Sequence, residues 1–330
     1  MENKNILIGY HIPKLDKFNA RNILSKEITA FQMFVSNPIN WSKAYSFNDS
    51  EEKSLIKLKE YGIKGVIHGK YLYNFCRKGN KDHIPLVLSE LNVANKIGCD
   101  LILHQGKNVA DEHISLEEAL NNFCFSINSI IEQSIDLNNS VILENSAHQG
   151  TELGFSLEEL GVIYNKIKCL NQNSIDRIGF CLDTCHSFVA GQCTFKTQDD
   201  VSNYLNDFDK FIGLNKLKYI HFNDSSIKFN GRNDHHCDIF CGHITNPLFG
   251  GSIDGLQYLA NYAHEHSIPL IMETPFEFNI HNFINITIDI IKELCTNKTN
   301  KTSVKYNDLI NSYPSLLQNG YDLYINNKKK

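Results

Sequence analysis

Six apolar runs in this chain each end on a residue able to bind a metal ion or move a proton. Val66-Ile67 stops at His68, Leu101-Ile102-Leu103 at His104, and Val141-Ile142-Leu143 at Glu144. Phe180-Cys181-Leu182 stops at Asp183, with His186 three residues on; Tyr219-Ile220 stops at His221, and Leu270-Ile271-Met272 at Glu273. A buried strand gains nothing from an ionisable group at its tip unless something is bound there. Asp234 and His236 add two more donors, one residue apart. From an extended segment both can point the same way, leaving His235 facing elsewhere. The set is therefore His68, His104, Glu144, Asp183, His186, His221, Asp234, His236 and Glu273. Mixed imidazole and carboxylate donors suit Zn2+, with Mn2+ as a substitute, better than Mg2+ or Ca2+. Nine donors are too many for one ion. Shared over two or three ions with a bridging carboxylate, they leave positions open for water and substrate, as phosphodiester hydrolysis requires. Any single His at a strand end is most often structural; it is the joint placement that points to a site. A rival grouping takes His236, Cys237, Cys241 and His243 as a structural zinc knuckle, which the Cys-x3-Cys spacing permits. It would leave Asp234 without a role.

The elements that must position these residues alternate along the chain. Strands are expected at 6–12, 30–35, 65–69, 101–106, 141–146, 178–184, 217–223 and 269–274, rich in Ile, Val, Leu and Phe as parallel strands buried on both faces are. Helical patterns occupy 82–97, 115–137, 157–167, 199–212 and 254–266, two of them opened by Ser115 and Ser156 ahead of Leu-Glu-Glu. Eight strands, each followed by a helix or long loop, predict an α/β fold, a single-domain (β/α)8 TIM barrel. A doubly wound sheet would gather its ligands at one switch point; six strands spread over the chain converge only at the mouth of a closed barrel. Residues 224–253 form one long loop rich in Gly, Asn, Asp and His, a length and composition expected of a functional segment. The barrel is expected over 1–295. Residues 296–330 are expected to form a short basic extension ending in three lysines, with Leu309, Tyr313, Leu316, Leu317, Tyr321 and Leu323 able to make a short helix packed against the body and the last residues disordered.

No apolar run approaches membrane-spanning length, so no membrane association is expected. The N-terminal residues lack the apolar core of a signal peptide, which predicts an intracellular protein, in the cytoplasm or nucleus. The ten scattered cysteines are then free thiols. The formal charge of −5 argues weakly against a polyanionic substrate, but three divalent ions would reverse its sign and concentrate positive charge in one cleft. Abundant Asn, Ile and Lys fit an AT-rich genome such as that of a protist, an AT-rich bacterium or a large DNA virus, in which last case the protein could be packaged in a virion.

With these residues in hand, the chain resembles the endonuclease IV family of apurinic/apyrimidinic endonucleases over roughly residues 5–295. The likeness is carried, in order, by LENSAHQG (143–150), CLDTCHSFVAG (181–191), HFNDS (221–225), Asp234-x-His236 and PLIMETP (269–275). It implies a three-zinc barrel of base-excision repair acting, as a monomer, on double-stranded DNA with abasic sites or blocked 3′ ends. His68, His104 and Glu144 would hold the first zinc, with Glu144 bridging to the second. Asp183, His221 and Glu273 would complete the second, and His186, Asp234 and His236 would hold the third. Glu144 and Glu273 would orient the nucleophile. Cleavage 5′ to the lesion would leave a 3′-hydroxyl and a 5′-deoxyribose phosphate, with 3′-phosphodiesterase and 3′–5′ exonuclease activity at the same centre.

The resemblance also implies DNA contacts from Lys70, Tyr71 and Leu72, from Asn37 and from Gly242. The Tyr71-Leu72 pair would push into the duplex where the abasic nucleotide flips out; the alternative is that both pack beneath a loop. Two departures stand out. Ile39 occupies a place where the family often has Arg, and 239–244 reads Ile-Phe-Cys-Gly-His-Ile where the family carries a Gly-rich turn, of which Gly242 survives. The rival enzyme class is a metal-dependent sugar isomerase or epimerase on a similar barrel. It needs only one or two metals, and the pair Asp234-x-His236 together with His68, His104 and His186 exceeds that need. A repair-like DNA-binding protein without catalysis is the other rival, and the intact donor set argues against it.

Overall fold

The computed structural model describes residues 5–13, 17–26, 28–109, 112–274, 283–296 and 318. In chain order the elements are β1 (Ile8–His11), α1 (Lys17–Ser25), β2 (Ala30–Met33), α2 (Asp49–Glu60), β3 (Lys64–His68), α3 (Ile84–Lys96), β4 (Asp100–Leu103), α4 (Leu116–Gln133), β5 (Val141–Glu144), α5 (Leu157–Leu170), β6 (Ile178–Asp183), α6 (Thr184–Val189), α7 (Gln198–Phe211), β7 (Leu217–His221), β8 (Asp224–Ser225), β9 (His236–Cys237), α8 (Asp254–His266), β10 (Leu270–Met272) and α9 (Phe283–Thr296). Eight strands pair in parallel and close in the order β1-β10-β7-β6-β5-β4-β3-β2. This is the expected TIM barrel. The expected extension over 296–330 lies outside the described residues, apart from Thr296 and Gln318.

Where the elements differ from the sequence reading, local chemistry gives the cause. The 224–253 segment is not all loop: β8 and β9 pair antiparallel within it, Asp224 with Cys237 and Ser225 with His236. The expected strand at 178–184 ends at Asp183, because the Asp183 side chain accepts the His186 N–H at 2.7 Å and so caps α6, six residues long. Ser115 and Ser156 cap α4 and α5 as expected.

Strand alternation sets two cores. Residues facing out of the strands pack against the helices; Val66, Ile102, Ile142, Cys181 and Tyr219 form a separate buried cluster, one from each of five neighbouring strands, filling the barrel. Two residues further along each strand, on the same face, stand His68, His104, Glu144, Asp183 and His221. Below the filling, Tyr219 donates its hydroxyl to Asp100 Oδ2 at 2.9 Å. Replacing Ile142 with Ala leaves a cavity in this layer. We expect a loss of about 2–5 kcal/mol in urea unfolding, with metal stoichiometry unchanged because the donors lie one layer above.

Candidate metal centre

The nine donors meet at the C-terminal mouth of the barrel, where a cavity of about 360 Å3 is lined by His68, Tyr71, His104, Glu144, His186, Asp234, His236 and Glu273, among others. Three groups with donor atoms within 4.8 Å of one another emerge: His68, His104 and Glu144; Glu144, Asp183, His221 and Glu273; and Asp183, His186 and His236. Glu144 and Asp183 each belong to two groups, so they stand where bridging carboxylates would. Asp234 joins the third group by ion pairs, 3.2 Å from His186 Nε2 and 3.1 Å from His236 Nε2. The buried thiol of Cys185 also lies within 4.8 Å of donor atoms of Asp234 and His236. His236 faces this cluster, whereas His243 lies against Phe249 with ring centroids 4.1 Å apart. The two histidines of the rival zinc knuckle thus face different neighbours, and its four residues do not form a donor group among the described residues.

Three of the imidazoles are held by a hydrogen bond so that one nitrogen faces the cluster. His68 donates Nδ1–H to the Gly69 carbonyl at 2.7 Å, leaving Nε2 3.4 Å from Glu144. His186 donates Nδ1–H to the Asn145 carbonyl at 2.8 Å, freeing Nε2. His221 is reversed: Nε2–H meets Gln32 Oε1 at 2.8 Å, and Nδ1 faces Glu144 at 2.9 Å and Glu273 at 3.1 Å. The carboxylates are oriented too. Asn223 Nδ2 donates to Asp183 Oδ2 at 2.7 Å and Glu273 Oε2 at 3.2 Å, and Gln32 Nε2 donates to Glu273 Oε1 at 2.5 Å. Asn145 Oδ1 accepts the Asp183 backbone N–H at 2.7 Å. Sequence reasoning gave no role to Gln32, Asn145 or Asn223. His11, at the end of β1, is likewise close, its Nδ1 3.1 Å from Gln32 Nε2, and burial pushes its pKa down to about 4. The apolar run that it ends was the available signal.

Burial disfavours charge on every one of these groups, yet mutual attraction overrides it at several. His186 and His221 are raised well above the ordinary imidazole range, His186 chiefly by Asp183 and Asp234, His221 by neighbours that include Glu144 and Glu273. His236 is raised to about 9, with Asp183 and Asp234 beside it. Glu144 is lowered, mainly by His221 and His104, and Asp234 by His186. Asp183 goes the other way, raised by its burial and by Glu144. The protein alone thus uses protons as the counter-charge. Even so, Glu144 Oε2, His186 Nε2 and His236 Nε2 make no aligned hydrogen bond and meet only charged neighbours within the cluster. Atoms of metal-binding type so placed fit divalent ions.

The residues assigned to DNA divide. Tyr71 is 58% exposed beside the cluster and Asn37 is exposed, while Leu72 is half-buried. Tyr71 thus does not pack beneath a loop. Lys70 and Gly242 face inward instead. Lys70 is 3% exposed, its ammonium paired with Glu90. Gly242 is buried and gives its N–H to Asp224 at 3.1 Å; a Cβ there would stand 2.4 Å from Asp224 Oδ1, Cys237 Sγ and the Ser225 carbonyl oxygen. It is a packing glycine. Ile239, Phe240, Cys241 and Ile244 around it are buried as well, whereas Ile39 is 72% exposed.

Because His186, His221 and His236 are held in the protonated range before metal enters, Zn2+ added to metal-free protein in weak buffer should release protons. Affinity should rise with pH through about 9, the His236 value, as the imidazoles give up their protons. Replacing Asn223 with Ala should weaken zinc binding about 10–100-fold in chelator competition, since Asp183 and Glu273 lose their shared donor.

Comparison with known proteins places this geometry. A family model described as xylose isomerase-like TIM barrel matches residues 22–251. The chain is 33% identical over 289 residues to a putative endonuclease 4 of Acanthamoeba polyphaga mimivirus, covering 84% of this chain and 88% of that one. It is 29% identical to a probable endonuclease 4 of Staphylococcus carnosus (strain TM300), covering 82% and 88%. Among solved structures, endonuclease IV from Thermus thermophilus superposes with a TM-score of 0.69 at 21% identity, covering 87% of this chain and 98% of that one. A D-tagatose 3-epimerase-like protein gives 0.63 at 17%, covering 87% and 96%, so the barrel alone does not separate nuclease from epimerase. The family model takes in that barrel as a whole, and the viral relative narrows it: the chain belongs to the xylose isomerase-like TIM barrels and, among them, to the endonuclease 4 family.

Proposed function

We propose that this chain cuts double-stranded DNA at the phosphodiester 5′ to abasic sites, using three zinc ions held by the nine donors. Membership of the endonuclease 4 family makes it a hydrolase of DNA repair. The finer reading rests on one observation: three donor groups are linked through Glu144 and Asp183, and buried atoms within them make no aligned hydrogen bond. In our reading His68, His104 and Glu144 hold the first ion, Glu144, Asp183, His221 and Glu273 the second, and His186, Asp234 and His236 the third. When bound, such ions acidify water and neutralise the leaving oxygen.

The chain's own side chains do the rest. Glu144 and Glu273 keep low proton affinity beside the imidazoles, so they remain acceptors able to orient the attacking water. In our reading Tyr71 and Leu72 enter the base stack, which the exposure of Tyr71 and its edge-on packing against Phe34 support. All nine donors come from one chain, so a monomer suffices. No helix among the described residues is long and apolar enough to cross a membrane, and all ten cysteines are free thiols, as in a reducing compartment. Blocked 3′ ends present the same phosphodiester chemistry to the same centre, and Mn2+ is an expected substitute metal.

The test is incision of a duplex carrying one tetrahydrofuran abasic analogue, which cannot undergo β-elimination. One 3′-hydroxyl product, lost on stripping metal and restored by Zn2+, is expected at three ions per chain. A metal-replete protein that ignores this duplex and isomerises sugars with one or two ions would overturn the reading. Glu273→Gln should keep the fold and DNA binding while lowering kcat at least about 100-fold. Tyr71→Ala should raise KM, and wild-type kinetics in that variant would remove the wedge.

A further inference from the structure

Lys70 stands two residues beyond β3 and directly before Tyr71, yet its ammonium does not face solvent. The side chain is 0% exposed, with Nζ 3.6 Å from Glu90 Oε1 on α3, itself 1% exposed. Nζ donates to the Ser36 hydroxyl and, at 2.8 Å, to the Asn37 carbonyl; the Ser36 hydroxyl in turn donates to Glu90 Oε1. A lysine beside an open cavity would ordinarily lay its stem along the surface and keep its charge in water. Burying it with a carboxylate is costly, and a buried pair is weak evidence for stability. What this one does is geometric: it ties the loop after β2, the loop after β3 and helix α3 to one point.

The loop after β2 begins at Phe34, whose ring packs against His68 and Tyr71, and the loop after β3 lines the metal centre through Tyr71. In the first, Asn37 Oδ1 accepts the Ile39 N–H and Asn40 Oδ1 accepts the Ser42 N–H, each at 3.0 Å. These two turns leave Ile39 72% and Trp41 53% exposed, with the Trp41 ring stacked on His83 at 4.9 Å. In the second, Tyr71 lies against His68, ring centroids 5.4 Å apart. We propose that Lys70 and Glu90 are positioning residues that lock the two rim loops together, so that Ile39, Trp41 and Tyr71 meet the duplex already spaced over the metal centre. This rests on the endonuclease reading. Preordering the loops lowers the entropic cost of binding without touching the reacting atoms.

Trp41 is the chain's single tryptophan, so its emission reports on the clamped loop without any DNA. The variant is Lys70→Met with Glu90→Gln, which removes both charges, leaves no uncompensated buried ion and keeps an acceptor for Ser36. Expected are lower Trp41 anisotropy and stronger iodide quenching, unchanged zinc content, and a KM for the tetrahydrofuran duplex about tenfold higher. At saturating DNA, kcat should stay within about twofold of wild type. Ser36→Ala, which keeps the ion pair and removes one link, should shift KM the same way by less. It serves as the readout if the double variant does not fold. Unchanged Trp41 emission and KM would overturn the proposal. A loosened Trp41 with wild-type KM would overturn the link to DNA while sparing the endonuclease reading. If the wild-type protein does not cut the duplex, that reading fails by itself, and the proposal fails with it; the Trp41 signal then shows only whether the clamp exists.

Discussion

The carboxylates of Glu144, Asp183, Asp234 and Glu273 sit among five imidazoles at one end of a barrel, and like charges so close in a dry site repel strongly. Water is nearly excluded from Glu144, Asp183 and His221, so screening by solvent does not relieve the repulsion. Protons on the imidazoles relieve it in the free protein; divalent ions relieve it better, because each replaces several hydrogen bonds whose acceptors are already aimed at one point. The amides of Gln32, Asn145 and Asn223 belong to the same solution. They fix which oxygen and which nitrogen face inward, and being neutral they add nothing to the charge being balanced.

The donors were legible in the sequence because strand geometry and electrostatics leave a joint trace. An apolar run broken by His or Glu at its end is costly without a partner, and six such breaks in one chain cannot all be accidents of packing. The supporting amides leave no such trace. Gln32 ends no run, and Asn145 and Asn223 look like any polar residue after a strand. The short helix α6 was hidden for a related reason: its start is set by Asp183, which reads first as a metal ligand. Lys70 and Gly242 show the opposite failure. Resemblance fixes a position along the chain but not the direction of a side chain. The partner that turns Lys70 inward, Glu90, is a lone acid on the buried side of α3, twenty residues away.

Asp183 carries two duties on its two oxygens. Oδ1 caps α6 through the His186 N–H, and Oδ2 takes the Asn223 amide and faces His221 and His236. The spacing of Asp and His in the 183–186 motif is therefore dictated by helix capping as much as by metal geometry. Two donors of the third group move as one rigid unit with the first turn of α6.

The barrel closes by pairing β1 with β10, and the bond from Gln32 to Glu273 spans 241 residues. During synthesis the N-terminal strands emerge long before the last donor does. The His68–His104–Glu144 group can gather on a partly made chain, but the second group lacks Glu273 until nearly the whole barrel has left the ribosome. A nascent chain thus exposes an incomplete set of ligands for most of its translation. On the proposed assignment of donors, full metal loading, and with it the power to cut a phosphodiester, arrives only once the fold is closed.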